Sequence, residues 1–151
     1  MDAKFFSTIN ILNPVVKLMA ARGHGVIVNI IGVGGKVAKP IHLAGGSANA
    51  ALMLATAGLG NAYAASGVRV VGINPGLTET GRITEGMAAD AQHSGISVDA
   101  AIQRSVQKIP MGRMAKPEEV ADLVLFLASD KARYISGTTV TIDGAEHPVV
   151  V

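Results

Sequence analysis

Apolar positions along these 151 residues follow two rhythms. Between residues 4 and 22, Phe5, Ile9, Leu12, Val16 and Met19 recur at intervals of three and four, which sets them on one helix face. Pro14 interrupts that stretch and predicts a kink, or a fresh turn after Asn13, because proline has no N–H to donate. Ala20-Ala21-Arg22-Gly23 reads as the end, with arginine in the last turn and glycine beyond it. Residues 26–31 then run apolar without alternation, as strands covered on both faces do in parallel sheets. Residues 68–74 repeat that type and stop at Pro75-Gly76, a firm breaker. Residues 138–142 give a third strand, closed by Asp143-Gly144.

A loop over residues 32–44 leads into a predicted helix at 46–65. That helix carries no charge and is apolar nearly all round, so it is expected to be buried or to lie in an interface. Gly58 and Gly60 each weaken it by about 1 kcal/mol relative to alanine, and close approach of another helix is the expected reason for them. Residues 77–113 are more polar, with two weaker helical patterns at 80–92 and 98–107. Ser97 is a suitable N-cap for the second. Pro117 opens the clearest helix, with Glu118 and Glu119 in its first turn and Val120, Leu123, Val124 and Leu127 on its inner face. Right-handed crossovers through this order make the strands parallel. Residues 25–52 organise the rest: strand, glycine-rich loop, helix, with the loop at the strand's carboxyl end, where open α/β sheets mount ligands and catalytic groups.

Composition narrows the classes. Hydrophobic residues make up 49% of the chain and charged residues 16%, which describes one rather apolar globular unit. Aromatics are 3% with no tryptophan, so the core is aliphatic and base-stacking platforms are not expected. The net charge of +2 comes from scattered residues and argues against a nucleic-acid partner. Without cysteine, no disulfide, zinc–thiolate site or thiol nucleophile can form, and no histidine spacing suggests a metal. The uncharged run 40–68 has the length of a membrane span. It also holds His, Ser, Asn, Thr and several Gly, so no membrane partner is expected. Asp2 and Lys4 lead straight into an amphipathic pattern rather than a signal peptide, which makes the cytoplasm the expected compartment.

Several motifs then occur in order. Asn74-Pro75-Gly76 is followed by Thr80. Ile109-Pro110-Met111-Gly112-Arg113 precedes Lys116-Pro117-Glu118-Glu119-Val120-Ala121. Phe126-Leu127-Ala128-Ser129-Asp130, Tyr134-Ile135-Ser136-Gly137 and Asp143-Gly144 complete the set. With these, the chain resembles the short-chain dehydrogenase/reductase family from about Met1 to Gly144. The resemblance implies a three-layer, Rossmann-like α/β fold with a parallel sheet. Residues 1–151 would form its C-terminal half, one partial domain of about three strands with flanking helices. It also implies oxidoreduction of alcohols or ketones with NAD or NADP. Pro75, Gly76 and Thr80 would pack over the nicotinamide and phosphates, and 77–113 would be a substrate lid that Met87, Met111 and Met114 could line. Oligomerisation through helix 46–65 is a further implication.

Two departures from the family pattern bear on chemistry. The nucleotide-binding start, a strand followed by a TGxxxGxG turn, does not occur. Its work is to present backbone N–H groups to a pyrophosphate at a helix N-terminus. Gly32, Gly34 and Gly35 give only GxGG, which reads as a flexible loop. In addition, the family's Ser, Tyr and Lys fall on Gly32, Gly45 and Asn49, and Lys4 falls near its upstream Asn. No Y-x-x-x-K occurs, since Gly67 lies four after Tyr63 and Thr138 four after Tyr134. Glycine cannot transfer a proton and an amide supplies no cation. General acid–base catalysis contributes about 10²–10⁴-fold, so the loss is heavy.

His42, three residues before Gly45, is the candidate catalytic substitute, because an imidazole can donate a proton near neutral pH. The plainer reading is an exposed loop histidine. Asn49 is a candidate for a ribose hydroxyl, or a buried helix asparagine satisfied by backbone. His24, His93 and His147 lack ligand spacing and are expected on the surface. Three functions follow. One is an oxidoreductase that takes its nucleotide-binding half from another chain and uses a donor such as His42. The second is a non-catalytic dimerising or regulatory partner. The third is a truncated gene product whose first strand exposes a bare edge.

Overall fold

The computed structural model describes residues 1–81 and 83–149. Three parallel strands form one sheet in the order β1 (Gly25–Ile30), β2 (Val68–Pro75), β3 (Thr139–Ile142). Ile27 lies opposite Val70, and Gly72 opposite Thr139. The period-two alternation of β2 divides the core between the two faces of the sheet. Val68 and Val70 pack with Ile27, and with Leu12 and Val16 of α1 (Ser7–Ala21); Leu59 and Tyr63 of α2 (Leu43–Tyr63) close over them. Val71 and Ile73 point the other way, onto Val120 and Leu127 of α5 (Pro117–Ala128). The result is a three-layer, Rossmann-like α/β arrangement, as the sequence implied. Between β2 and α5, α3 (Ile83–Ser94) and α4 (Val98–Val106) pack on each other through Met87, Ala91 and Ala101. Ser97 caps α4 by accepting from the Ala100 N–H at 3.1 Å.

β1 is covered on both faces, by Ile27 in the α1 cluster and Val28 against the α5 cluster, but among the described residues it is an edge strand, and Ile30 at its carboxyl end is 59% exposed. Several expectations need correction. Of the two outcomes expected at Pro14, a fresh helix start after Asn13 does not occur. α1 runs through the proline, anchored in the core by Leu12 on one side and Val16 on the other. The preceding turn, Asp2–Phe6, is π-helical. α2 begins at Leu43, three residues earlier than expected, after a 3₁₀ turn over Pro40–His42. Gly60 does meet a close neighbour, but the neighbour is a turn and not a helix. A Cβ there would lie 2.5 Å from Gly137 Cα, whereas one on Gly58 would meet nothing.

Candidate active site

A cavity of about 700 Å³ opens at the carboxyl ends of β1 and β2. It collects residues from segments far apart in the sequence. Gly32 and Gly34 come from the loop after β1; His42, Gly45, Gly46 and Asn49 from the start of α2. Pro75, Gly76 and Thr80 follow β2, Met87 and Asp90 stand on α3, and Lys4 reaches in from the amino-terminal turn. The sequence-derived site residues are therefore brought together. Met87 is the lid methionine that lines the cavity; Met111 is 71% exposed, and neither it nor Met114 is part of the lining.

The floor is built on glycine and one asparagine. Gly32 adopts φ +117°, a backbone state that favours glycine. Its carbonyl accepts from Asn49 Nδ2 at 3.3 Å and from the Gly35 N–H at 3.4 Å. The Lys36 N–H donates to the Val33 carbonyl at 2.8 Å, closing a 3₁₀ turn. The loop is thus folded rather than splayed, and it sits tightly on α2. A Cβ on Gly35 would lie 2.7 Å from the Ala50 nitrogen, and one on Gly46 2.7 Å from the Gly34 carbonyl oxygen. GxGG is there for close backbone approach. One of its amides, that of Gly35, is already spent within the turn.

Asn49 is buried and its Oδ1 has no partner. An unpaired buried acceptor costs roughly 1–3 kcal/mol, so this oxygen is suited to a ligand hydroxyl. Backbone satisfies only the amide nitrogen. Gly45 faces open space, where a side chain would fit without a clash. Asn49, Pro75, Gly76 and Thr80 line the same cavity.

His42 is exposed at the mouth, and its Nε2 lies 3.4 Å from Asp90 Oδ1 on α3. Both readings of this histidine hold part of the truth: it is solvent-exposed, and it lines the cavity with a carboxylate partner. The expectation that His147 lies on the surface is overturned. Its ring is largely covered, with Nδ1 3.1 Å from Asp143 Oδ2 and Nε2 3.7 Å from Glu146 Oε1. The Asp143-Gly144 turn explains this. Asp143 accepts from the Ala145 and His147 N–H groups, which folds the tail back over the cavity. Gly76 packs beneath that turn, where a Cβ would stand 2.7 Å from Asp143 Cβ. Desolvation lowers the pKa of Lys4 below the ordinary lysine value. Sequence reasoning missed Asp90, Arg104, Lys108 and His147 as lining residues. A signal existed for Asp90, which shares a helix face with Ile83 and Met87.

Comparison with known proteins places this geometry in context. A family model described as Enoyl-(Acyl carrier protein) reductase matches residues 1–145. Oxidoreductase UcpA of Escherichia coli strain K12 is 38% identical over 145 residues, covering 95% of this chain and 54% of that protein. 4-Formylbenzenesulfonate dehydrogenase TsaC1/TsaC2 of Comamonas testosteroni is 34% identical over 128 residues, covering 85% and 48% respectively. The crystal structure of sorbitol-6-phosphate 2-dehydrogenase SrlD from Erwinia amylovora superposes with a TM-score of 0.82 at 27% identity, over 89% of this chain and 53% of that one. The chain spans about half the length of the relatives it matches.

Proposed function

The chain belongs to the short-chain dehydrogenase/reductase family, and on that premise we propose that it forms the substrate-binding half of an NAD(P)-dependent oxidoreductase of alcohols and ketones, with little or no turnover by itself. One observation carries this reading: Gly32, Gly45, Asn49, Pro75, Gly76 and Thr80 line a single cavity at the carboxyl edge of the sheet, with no Tyr–Lys pair in it. A bound nicotinamide would supply the hydride. Asn49 Oδ1 would accept a hydrogen bond from a ligand hydroxyl, Pro75, Gly76 and Thr80 line the cavity with it, and His42 is the side chain placed to deliver a proton. Without a cation at position 49 no side chain there stabilises an oxyanion, so proton delivery is slow.

The rest of the catalytic unit is a nucleotide-binding half, and the open edge of β1 is where its strand would pair in parallel. The test is to join the chain to the first half of the Escherichia coli relative and titrate NADH and NADPH by fluorescence. Saturable binding by the joined protein, and none by the 151-residue chain, supports the reading. No binding by the joined protein contradicts it.

A second reading, a homo-oligomeric partner without catalysis, is favoured by the outer face of α2, where Leu54 is 76% and Leu43 54% exposed. Burying such leucines stabilises association by about 1.5–3 kcal/mol each. Sedimentation of the wild type and of Leu54→Glu tests it: a dimer that dissociates in the variant supports association through α2, and a wild-type monomer rules it out. Among the described residues no helix is long and apolar enough to cross a membrane.

A further inference from the structure

The charge carried by the cavity wall is uneven. Lys4, Lys39, Arg104 and Lys108 line it, against the carboxylates of Asp90 and Glu146. Both carboxylates already face an imidazole, Asp90 at 3.4 Å from His42 and Glu146 at 3.7 Å from His147. The cations are less engaged. Among the described residues the ammonium groups of Lys4, Lys39 and Lys108 have neither a hydrogen bond nor an ion pair. Arg104 gives one N–H to Ser94 Oγ at 2.8 Å and keeps its other donors. Arg104 and Lys108 stand four residues apart across the end of α4, on the same side. The neighbouring wall is apolar, with Ile83 and Met87 of α3 and Leu77 below them. Across the floor lies the unpaired acceptor Asn49 Oδ1.

An apolar body, an anionic end and a hydroxyl donor satisfy all three regions together. We propose that the cavity takes a hydroxy acid or its oxo counterpart, with the anionic group held by Lys108 and Arg104 and the apolar body against α3. This rests on the reading of the cavity as a substrate site. It does not depend on coenzyme binding or turnover. Arg104 offers a planar fork suited to a carboxylate, and Lys108 a point charge beside it. In a cleft with apolar walls such charges also raise the local concentration of an anionic ligand.

The experiment is a set of titrations of the ¹⁵N-labelled chain with benzoate, benzamide and inorganic pyrophosphate, followed by amide shifts. Benzoate is expected to saturate, with shifts confined to α3, α4 and the Glu146-His147 tail. Benzamide, its neutral counterpart, should bind about tenfold more weakly. Lys108→Ala and Arg104→Ala should each weaken benzoate severalfold and leave benzamide unchanged, while Lys17→Ala, outside the cavity, changes neither. Spectra that overlay elsewhere show that the variants are folded. Equal affinity for benzoate and benzamide, no saturable benzoate binding, or benzoate binding indifferent to both substitutions would overturn the proposal. So would pyrophosphate binding more tightly with the same shifts, since that assigns the cations to a coenzyme phosphate. Failure of coenzyme binding in the joined protein, with benzoate discrimination intact, would count against the oxidoreductase reading alone.

Discussion

The side chain of Asn49 donates through Nδ2 to the carbonyl of Gly32 at 3.3 Å and leaves Oδ1 buried without a partner. On the proposed reading, these two positions correspond to the family's lysine and serine. Here they bond to each other, so the floor of the cavity is closed by an amide and a left-handed glycine rather than by a proton-handling pair.

Restoring the family's side chains should therefore be uneven in cost. Gly32→Ser puts a Cβ on a φ of +117° and 3.2 Å from Asn49 Nδ2. It should destabilise the fold by about 1–3 kcal/mol. Gly45→Tyr enters open space and should stay within about 0.5 kcal/mol of wild type. Urea denaturation of the two variants checks the contrast.

The two helix glycines of α2 make a matched pair. Gly58→Ala meets nothing and should stabilise by up to about 1 kcal/mol through helix propensity. Gly60→Ala drives a methyl into the backbone of Gly137 and should cost about 1–3 kcal/mol. Thermal unfolding should move in opposite directions for the two substitutions.

A buried hydrogen bond ties β1 to α2, with Asn29 Nδ2 donating to Thr56 Oγ1 at 2.9 Å. Thr56→Val keeps the shape but leaves a buried amide donor unpaired. A loss of about 1–3 kcal/mol is expected in denaturant titrations.

Acid should act partly through Glu119. The Arg113 guanidinium grips its carboxylate with two bonds of 2.7 Å, the Lys116 N–H adds a third of 2.7 Å, and its pKa is lowered to about 2 from 4.5. A depressed folded-state pKa contributes stability that is fully present above the unfolded value and is lost as pH falls. The contribution should fade between pH 4.5 and about 2. Because the pair lies in solvent, the effect is modest and salt-sensitive. Measured across that window, Glu119→Gln should show a shallower fall in stability than wild type.

The strands, their parallel sense and the helix opened by Pro117 were legible because each is written in local periodicity and breakers. Contacts between distant segments were not. His42 and Asp90 meet across 48 positions of sequence, and no pattern in either segment announces the other. His147 looked like a tail residue until the Asp143 turn folded it inward. The bare edge of β1 stood among the expectations, and among the described residues β1 is an edge strand. Pro14 lies inside one continuous helix, with Leu12 and Val16 in the core on either side of it.

The central claim is that the family's cavity persists here without its proton-transfer pair. The most direct measurement is the rate at which the chain, joined to a nucleotide-binding half, consumes NADPH across a panel of ketones that includes oxo acids. A rate at least about 10²-fold below an ordinary turnover, raised by the double substitution Gly45→Tyr with Asn49→Lys, is the expected result. An ordinary rate of about 10 s⁻¹ from the unsubstituted chain would contradict it.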